Sequence, residues 1–251
     1  MRKSILTLSV AAALSVPGFA MAQAPAASAS PHTITGNMGL FSEYRFRGIA
    51  QTAFRPAIQG GFDYSHSSGF YAGNWNSNVA ETLYAGASLE MDFYGGFKKA
   101  FGDFGIDVGA IYYYYPGSDS ATLGKIDNTE VYIGGSWKWV SLKYYHAVSD
   151  FFSAPDTKGS SYIDLTATFD LGSGWGVVGH YGQQKIKNFS FGDYNDWKLG
   201  VTKDLGNGWN ASLSYIDTDA EEGAYTFSNA SQKAPKFLGD TTFVVSIGKT
   251  F

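Results

Sequence analysis

Charged side chains two residues apart recur along this 251-residue sequence and are its most informative candidates for chemistry. Glu43, Arg45 and Arg47 form one such series, and Glu90 with Asp92 forms another. In an extended strand the side chains of residues i and i+2 lie on the same face. These series therefore predict rows of charge along a polar face, which suit ion pairing or the guidance of ions rather than bond breaking.

Catalytic and metal-binding patterns are weak in this sequence. His146, Ser149 and Asp150 come nearest to a base, a nucleophile and an orienting acid. Residues 146 and 149 differ in parity, however, so they would point to opposite sides of a strand. His180 has no neighbour at a metal-ligand spacing, and the chain contains no Cys. We therefore predict no enzymatic activity, no metal and no cofactor.

Alternation of apolar and polar residues predicts the strands that carry these rows. Over 82–94 the apolar positions are Leu83, Ala85, Ala87, Leu89, Met91 and Phe93. The other apolar sets are Met38, Leu40, Tyr44 and Phe46; Ile58, Phe62 and Tyr64; Tyr71, Trp75 and Val79; Ile106, Val108, Ala110 and Tyr112; Val131, Ile133, Trp137 and Trp139; Leu142 and Tyr144; Ile163, Leu165, Ala167, Phe169 and Leu171; Trp175, Val177 and Tyr181; Trp197, Leu199, Val201 and Leu205; Trp209, Ala211, Leu213 and Tyr215; and Phe243, Val245, Ile247 and Phe251. Together they predict about twelve strands.

The N-terminus predicts export from the cytoplasm. Residues 1–22 begin with Arg2 and Lys3, continue with an apolar stretch and end in small residues, as a cleavable signal peptide does. The apolar stretch is too short to span a bilayer as a helix. Residues 23–32 are rich in Ala, Pro and Ser, which predicts a disordered periplasmic tail. The folded domain is predicted over 33–251.

The composition favours a membrane protein built from strands. Only 16% of residues are charged, against about a quarter in a typical soluble domain, while 17% are aromatic and 31 are Gly. The formal net charge of −4, which falls further when Arg2 and Lys3 are removed, offers no basic surface for nucleic acid. An exported chain of this kind predicts an all-β, antiparallel up-and-down transmembrane β-barrel in the bacterial outer membrane.

Turns and aromatic residues predict the orientation of the barrel. Short turns near 66–69, 139–141, 172–174 and 206–208 alternate with longer polar segments, with exceptions at 80–82 and 95–103. An even strand count then places both termini in the periplasm. The predicted periplasmic aromatic belt contains Trp139, Trp175, Trp209 and Phe251, and the outer belt contains Tyr44, Tyr112, Trp197 and Tyr215. Phe251, at the end of the last strand, is also the predicted signal for the barrel-assembly machinery.

The inward polar face supplies the candidate pore-lining residues. They are Glu43, Arg45, Arg47, Asp63, Glu90, Asp107, Glu130, Lys138, Lys143, Asp164, His180 and Lys198. With Asp92, Asp170 and Asp204 the acidic residues outnumber the basic ones, which predicts a weak preference for cations. Arg45 and Arg47 form either a basic ladder opposite acids across the lumen or a structural network with Glu43 and Asp63.

Two strings in the first third of the chain resemble the TorF family, a proteobacterial group of porin-like proteins. They are SEYRFRGIAQT (Ser42–Thr52) and PAIQGGFDYSHSSGFYAGNWNSNV (Pro56–Val79). GWGVVGHYG (Gly174–Gly182) and the terminal strand fit the family more loosely. The resemblance implies an outer-membrane barrel that passes small solutes. It supplies no substrate and no catalytic residue.

The sequence thus predicts a porin-like channel for passive diffusion of small hydrophilic solutes, embedded in outer-membrane lipids. The alternative is a closed structural or surface-interaction barrel without transport activity. Large residues on the inward face favour that alternative: Phe41, Tyr84, Tyr94, Tyr113, Tyr132 and Tyr145.

Overall fold

The computed structural model describes residues 30–119, 124–227 and 235–251. The predicted signal segment 1–22 and residues 23–29 of the predicted tail lie outside these ranges. His32, the last residue of that predicted tail, is instead the first residue of the first strand. Within the described ranges, no helix has the length and apolar character needed to cross a membrane.

Twelve antiparallel strands form a closed barrel. They are β1 (His32–Phe41), β2 (Ala57–His66), β3 (Phe70–Asn78), β4 (Leu89–Phe101), β5 (Phe104–Tyr114), β6 (Asp127–Trp137), β7 (Val140–Ala147), β8 (Ser161–Gly172), β9 (Trp175–Lys185), β10 (Tyr194–Gly206), β11 (Trp209–Thr218) and β12 (Thr242–Thr250). Each strand pairs with its neighbours in sequence, and β1 pairs with β12 with Gly39 opposite Gly248. The predicted all-β, antiparallel up-and-down barrel is confirmed.

The outward face of the barrel is apolar and the inward face is polar or small. In β8, Leu165 and Leu171 are 42% and 64% exposed, whereas Tyr162 and Asp164 on the other face are buried. A strand has a side-chain period of two, so curvature into a barrel sends alternate residues inside and outside. Closure also leaves no unpaired sheet edge, which an apolar environment would not tolerate.

Short turns and long connections lie at opposite ends of the barrel. The short turns are 67–69, 102–103, 138–139, 173–174 and 207–208. The first strand begins and the last strand ends at this same end of the barrel. The long connections are 42–56, 79–88, 115–126, 148–160, 186–193 and 219–241. They contain the remaining short elements: strand pairs Arg45–Phe46 with Ile49–Ala50 and Thr226–Phe227 with Lys236–Phe237, the helix Glu222–Tyr225, and the 3-10 turns Phe151–Ser153 and Ser190–Gly192.

The two predicted exceptions to this alternation are wrong. Residues 95–101 continue β4, and residues 79–88 form a long connection. Ala85 and Gly86 have φ values of 50° and 97°, which turn the chain and end any strand there. The strand that the alternation predicted from residue 82 therefore begins only at Leu89.

Strand β3 faces the opposite way from the prediction. Trp75 is 5% exposed, with its ring edge-on to Tyr44 inside the barrel. Asn74 pairs with outward-facing Phe62 and therefore lies on the outer face. The amide of Asn76 donates to the Asn74 side chain (2.6 Å) and to the Gly60 carbonyl (3.2 Å). These bonds satisfy the side-chain N–H groups of Asn76, a residue that hydropathy alone would assign to the interior.

Aromatic side chains surround the outer face near both ends. Trp139, Trp175, Trp209 and Phe251 are exposed at the short-turn end, as predicted. Phe251 also exchanges backbone hydrogen bonds with Gly36 of β1, so the last residue extends the pairing of β1 with β12. At the other end Tyr112 is exposed on the outside. Tyr44 was predicted there but is buried inside, because the connection after β1 folds inward.

Candidate functional site

The connection 42–56 between β1 and β2, the inserted loop, folds into the barrel and crosses it. Arg45–Phe46 pairs with Ile49–Ala50 to form a hairpin, and its tip bonds to Glu130 on β6 and Gln184 on β9. In a ring of twelve strands, β6 to β9 stand opposite β1 and β2, where the loop begins and ends. Tyr44 and Phe46 therefore lie inside the barrel, and their predicted outward orientation is wrong.

Arg47 joins the inserted loop to the far wall through a buried ion pair. Its Nη1 and Nη2 donate to Oε1 and Oε2 of Glu130 at 3.0 and 2.6 Å, and Nη1 also donates to Oε1 of Gln184 at 2.9 Å. The Arg47 and Glu130 side chains are 1% and 0% exposed. A two-point, charge-assisted contact of this kind is strong and directional. Burial lowers the pKa of Arg47, but the attraction and hydrogen bonds of Glu130, together with the nearby Tyr113 and Tyr162, raise it by more, so the pKa lies above its ordinary value.

The base of the inserted loop is tied to the last long connection. Arg45 pairs with Glu43 at 3.0 Å and donates from Nη1 to the Leu238 carbonyl at 2.9 Å. The Ala50 backbone N–H donates to the same carbonyl. An apolar cluster joins the two segments with β10; its buried members are Ile49, Ala50, Tyr194, Ala220 and Leu238. These contacts cover the end of the barrel that carries the long connections.

The contacts distinguish the two predicted roles of Arg45 and Arg47. Arg45 pairs with Glu43, as the structural-network alternative predicted. Arg47 pairs with Glu130 and not with Asp63, whose carboxylate accepts a hydrogen bond from the Tyr94 hydroxyl at 2.5 Å. Arg47 thus faces an acid across the lumen, as the ladder alternative predicted, whereas Arg45 pairs within the loop, as the network alternative predicted. Both arginines help to hold the loop in place.

A second buried ion pair lies inside the barrel on β5 and β7. Lys143 Nζ is 2.7 Å from Oδ2 of Asp107 and 4.7 Å from the ring centroid of Tyr132. The Tyr71 hydroxyl donates to the other oxygen of Asp107 at 2.6 Å. Asp107 and Lys143 thus lie inside, as predicted, and compensate each other.

His180 stands between two carboxylates on neighbouring strands. Its Nε2 lies 3.0 Å from Asp196, and its Nδ1 lies 3.4 Å from Asp164. The Tyr162 hydroxyl donates to Asp196 at 2.8 Å. Sequence reasoning missed Asp196, although its parity matches that of the inward Lys198 and would have identified it.

Three charged residues predicted inside lie at the short-turn end instead. Lys138 is in the turn 138–139 with φ 52°, and its half-exposed side chain is 3.9 Å from Asp103. Asp170 and Asp204 each accept a backbone N–H from a Gly two residues on, at a bulge beside a turn. Turn geometry, which a regular alternation ignores, removes all three from the bore.

Buried acidic residues nevertheless outnumber buried basic residues. Seven carboxylate residues are buried in the described part of the chain, against three basic residues. The acids are Glu43, Glu90, Asp92, Asp107, Glu130, Asp164 and Asp196, and the bases are Arg45, Arg47 and Lys143. Acidic groups around a water-filled path lower the electrostatic barrier to cations.

Two of the residues considered for catalysis, Ser149 and Asp150, bond to backbone N–H groups in and beside the connection 148–160. Ser149 Oγ accepts the Thr129 backbone N–H at 2.8 Å, and Asp150 accepts the backbone N–H groups of Thr157 and Lys158. His146 lies beside Tyr144 on the outer face. These positions do not bring Ser149 and His146 into a nucleophile–base pair.

Comparisons with known proteins place the chain among bacterial barrels. The family model described as "Bacterial protein of unknown function (Gcw_chp)" matches residues 25–251. A comparison with curated proteins found no match. The KdgM porin, alone and in complex with disordered oligogalacturonate, is 8% identical with a TM-score of 0.52, covering 87% of this chain and 98% of that chain. The NanC porin is 10% identical with a TM-score of 0.53, covering 87% and 99%. At these identities the likeness shows a shared barrel fold.

Proposed function

We propose that this chain, which belongs to the Gcw_chp family of bacterial proteins of unknown function, is an outer-membrane channel for passive diffusion of small hydrophilic solutes. One observation carries the proposal: a closed sheet with an apolar outer face surrounds an interior lined by charged, hydroxyl and small side chains. Such a wall suits hydrocarbon on one side and water on the other. The fold shared with the KdgM and NanC porins is consistent with this role.

The proposed orientation places the short turns and both termini in the periplasm and the long connections outside. The lengths of the connections support it, because outer-membrane barrels have short periplasmic turns and longer extracellular loops. The outward tryptophans and two lysines at the short-turn end would then lie at the periplasmic lipid–water interface. Lys203, for example, lies over the Trp175 ring and donates to the Ser173 carbonyl. Cleavage after residue 22, recognition of Phe251 by the barrel-assembly machinery and membership of the TorF family remain parts of the proposal.

The proposed solutes are neutral or cationic. One solved structure of the KdgM porin holds oligogalacturonate, a chain of uronic acids and therefore a polyanion. The excess of buried carboxylates in this chain would repel a polyanion and favour cations. In this proposal the chain shares the fold of the KdgM porin but not a preference for polyanions.

The inserted loop supports a second candidate, a closed barrel without transport. Arg47 and Glu130 are almost fully buried where they meet across the bore, so this conformation obstructs the path. In our proposal the channel conducts when the loop leaves the far wall. In the alternative it never leaves, and the long connections serve as a binding surface.

Reversal potentials in planar lipid bilayers test the proposed function. With KCl at unequal concentrations on the two sides, we expect discrete current steps and a reversal potential displaced toward the equilibrium potential of K⁺. The physical reason is the acidic excess of the interior. A reversal potential displaced toward that of Cl⁻ would contradict the cation preference. Silence from protein shown to be folded by its heat-dependent gel mobility would favour the closed barrel.

A further inference from the structure

The tip of the inserted loop carries a cation that occupies a binding site on the opposite wall. The wall groups around Arg47 are the Glu130 carboxylate, the Gln184 amide oxygen and the rings of Tyr145 and Tyr162, which we call the cage. The Tyr162 ring centroid is 4.2 Å from Cζ of Arg47, and that of Tyr145 is 5.2 Å away. Acceptors in the plane of a guanidinium and aromatic rings against its faces are the groups that recognise this cation.

The cage is held by the barrel rather than by the loop. Its four residues come from the adjacent strands β6, β7, β8 and β9. The Tyr113 hydroxyl donates to Oε2 of Glu130 at 3.2 Å. Nε2 of Gln184 donates to the Ser161 carbonyl at 3.0 Å, which fixes its amide oxygen toward Arg47. The cage therefore keeps its orientation when the loop departs, as a preformed binding site must.

The loop tip that delivers Arg47 is a two-residue hairpin turn. Arg47 has a φ of 47°, in the left-handed region that side-chain-bearing residues rarely adopt. Gly48 follows with φ 81°, and a Cβ at Gly48 would lie 2.8 Å from Cβ of Asp196. Positive φ values at both central residues are the ordinary geometry of a type I′ turn between two paired strands. The hairpin therefore holds its own shape, and the contacts of the Arg47 guanidinium fasten its tip to the far wall.

We propose that the cage is a binding site for small solutes with a guanidinium head, and that Arg47 occupies it as a tethered competitor. The inference rests on the proposed channel function and names its solute class. A free guanidinium that replaces Arg47 would release the tip of the inserted loop from the far wall and so clear the path across the bore. Simple ammonium ions fit less well, because they lack the planar fork that reaches both oxygens of Glu130 and the oxygen of Gln184.

Calorimetric titration of the folded protein with methylguanidinium tests the cage. We expect saturable binding to Arg47→Ala, and binding to the wild type that is weaker by about tenfold or more because Arg47 already fills the site. Glu130→Gln in the Arg47→Ala background should abolish the binding. N-methylurea, a neutral molecule of similar shape, and tetramethylammonium, a cation without N–H donors, are the matched ligands and should bind at least about tenfold more weakly.

Two results would contradict the proposal that the cage binds guanidinium solutes. One is the absence of saturable methylguanidinium binding by Arg47→Ala that is folded, as judged by heat-dependent gel mobility. The other is equal affinity for N-methylurea or tetramethylammonium. If Arg47→Ala does not fold, Arg47→Gln takes its place with the same expected results. Ion currents recorded from the same protein separate this inference from the proposed function. Binding without current would contradict the channel and support the cage as a binding site. Current without binding would support the channel and contradict the cage as a binding site.

Discussion

Replacing Arg47 by Ala is expected to raise the open probability of the reconstituted protein by roughly a hundredfold. The change removes the ion pair that fastens the inserted loop to β6 and leaves Glu130 uncompensated in the closed conformation. Breaking a buried pair costs about 3 kcal/mol or more, and 1.4 kcal/mol corresponds to a factor of about ten. Single-channel recording in planar bilayers measures the change directly.

Arg55→Ala is the matched control for this experiment. Arg55 lies in the same inserted loop but is exposed, so its removal should leave the open probability at the wild-type value. Glu130→Gln, which breaks the same pair from the wall, should increase opening as Arg47→Ala does. Equal open probabilities for wild type, Arg47→Ala and Glu130→Gln would show that the ion pair does not keep the barrel closed.

Leu165→Arg is expected to destabilise the folded barrel in lipid by about 2–4 kcal/mol, because it places a charge on the lipid-facing surface near the bilayer midplane. Leu165 lies near the middle of β8 and is exposed on the outer face. Thr168→Arg is the matched variant, since Thr168 lies on the inward face of the same strand and is exposed there. Urea titration of the protein folded into lipid vesicles gives both free energies of unfolding.

The contrast between these two variants tests the assignment of faces. We expect Thr168→Arg to change the free energy of unfolding by less than about 1 kcal/mol, because the charge would lie in the aqueous interior. Similar losses for both variants, or a larger loss for Thr168→Arg, would mean that the outward face of β8 does not contact hydrocarbon.

Local periodicity was sufficient to predict the strands and most of their faces. Leu165 and Asp164 in β8, or Val245 and Ser246 in β12, differ in polarity because one side of the sheet is apolar and the other is not. That rule needs only neighbouring residues, so a single sequence reveals it. Closure of the barrel follows from the same rule, because open edges are excluded from lipid.

Local periodicity gave wrong predictions where side-chain hydrogen bonds or turns decide the orientation of the residues. Asn74 and Asn76 lie on the outer face of β3 because their amides bond to each other and to neighbouring carbonyls. Residues 82–88 alternate in polarity but form a connection, since Ala85 and Gly86 turn the chain. The hydropathy pattern shows neither which polar groups find hydrogen-bond partners nor where φ is positive. These errors therefore could not be avoided from the pattern alone.

The partners of Arg47 lay beyond sequence reasoning for a different reason. Glu130 and Gln184 are 83 and 137 residues away, and they meet Arg47 only because the inserted loop crosses the barrel. The parity of Arg45 and Arg47 predicted that both would turn inward, and both are buried inside. Tyr44 and Phe46, of the opposite parity, lie inside as well, so parity was not what placed the arginines there. It gave no sign that the segment leaves the sheet, which depends on the hairpin tip at Arg47 and Gly48.

Osmotic swelling of liposomes tests most directly whether a water-filled path runs through the barrel and is closed by the inserted loop. The measured quantity is the initial swelling rate in an isosmotic solution of a small neutral sugar such as arabinose. We expect liposomes with Arg47→Ala to swell several-fold faster than protein-free liposomes, and those with the wild type to swell at an intermediate rate. Swelling at the protein-free rate for both proteins, each shown to be folded and inserted, would contradict the channel.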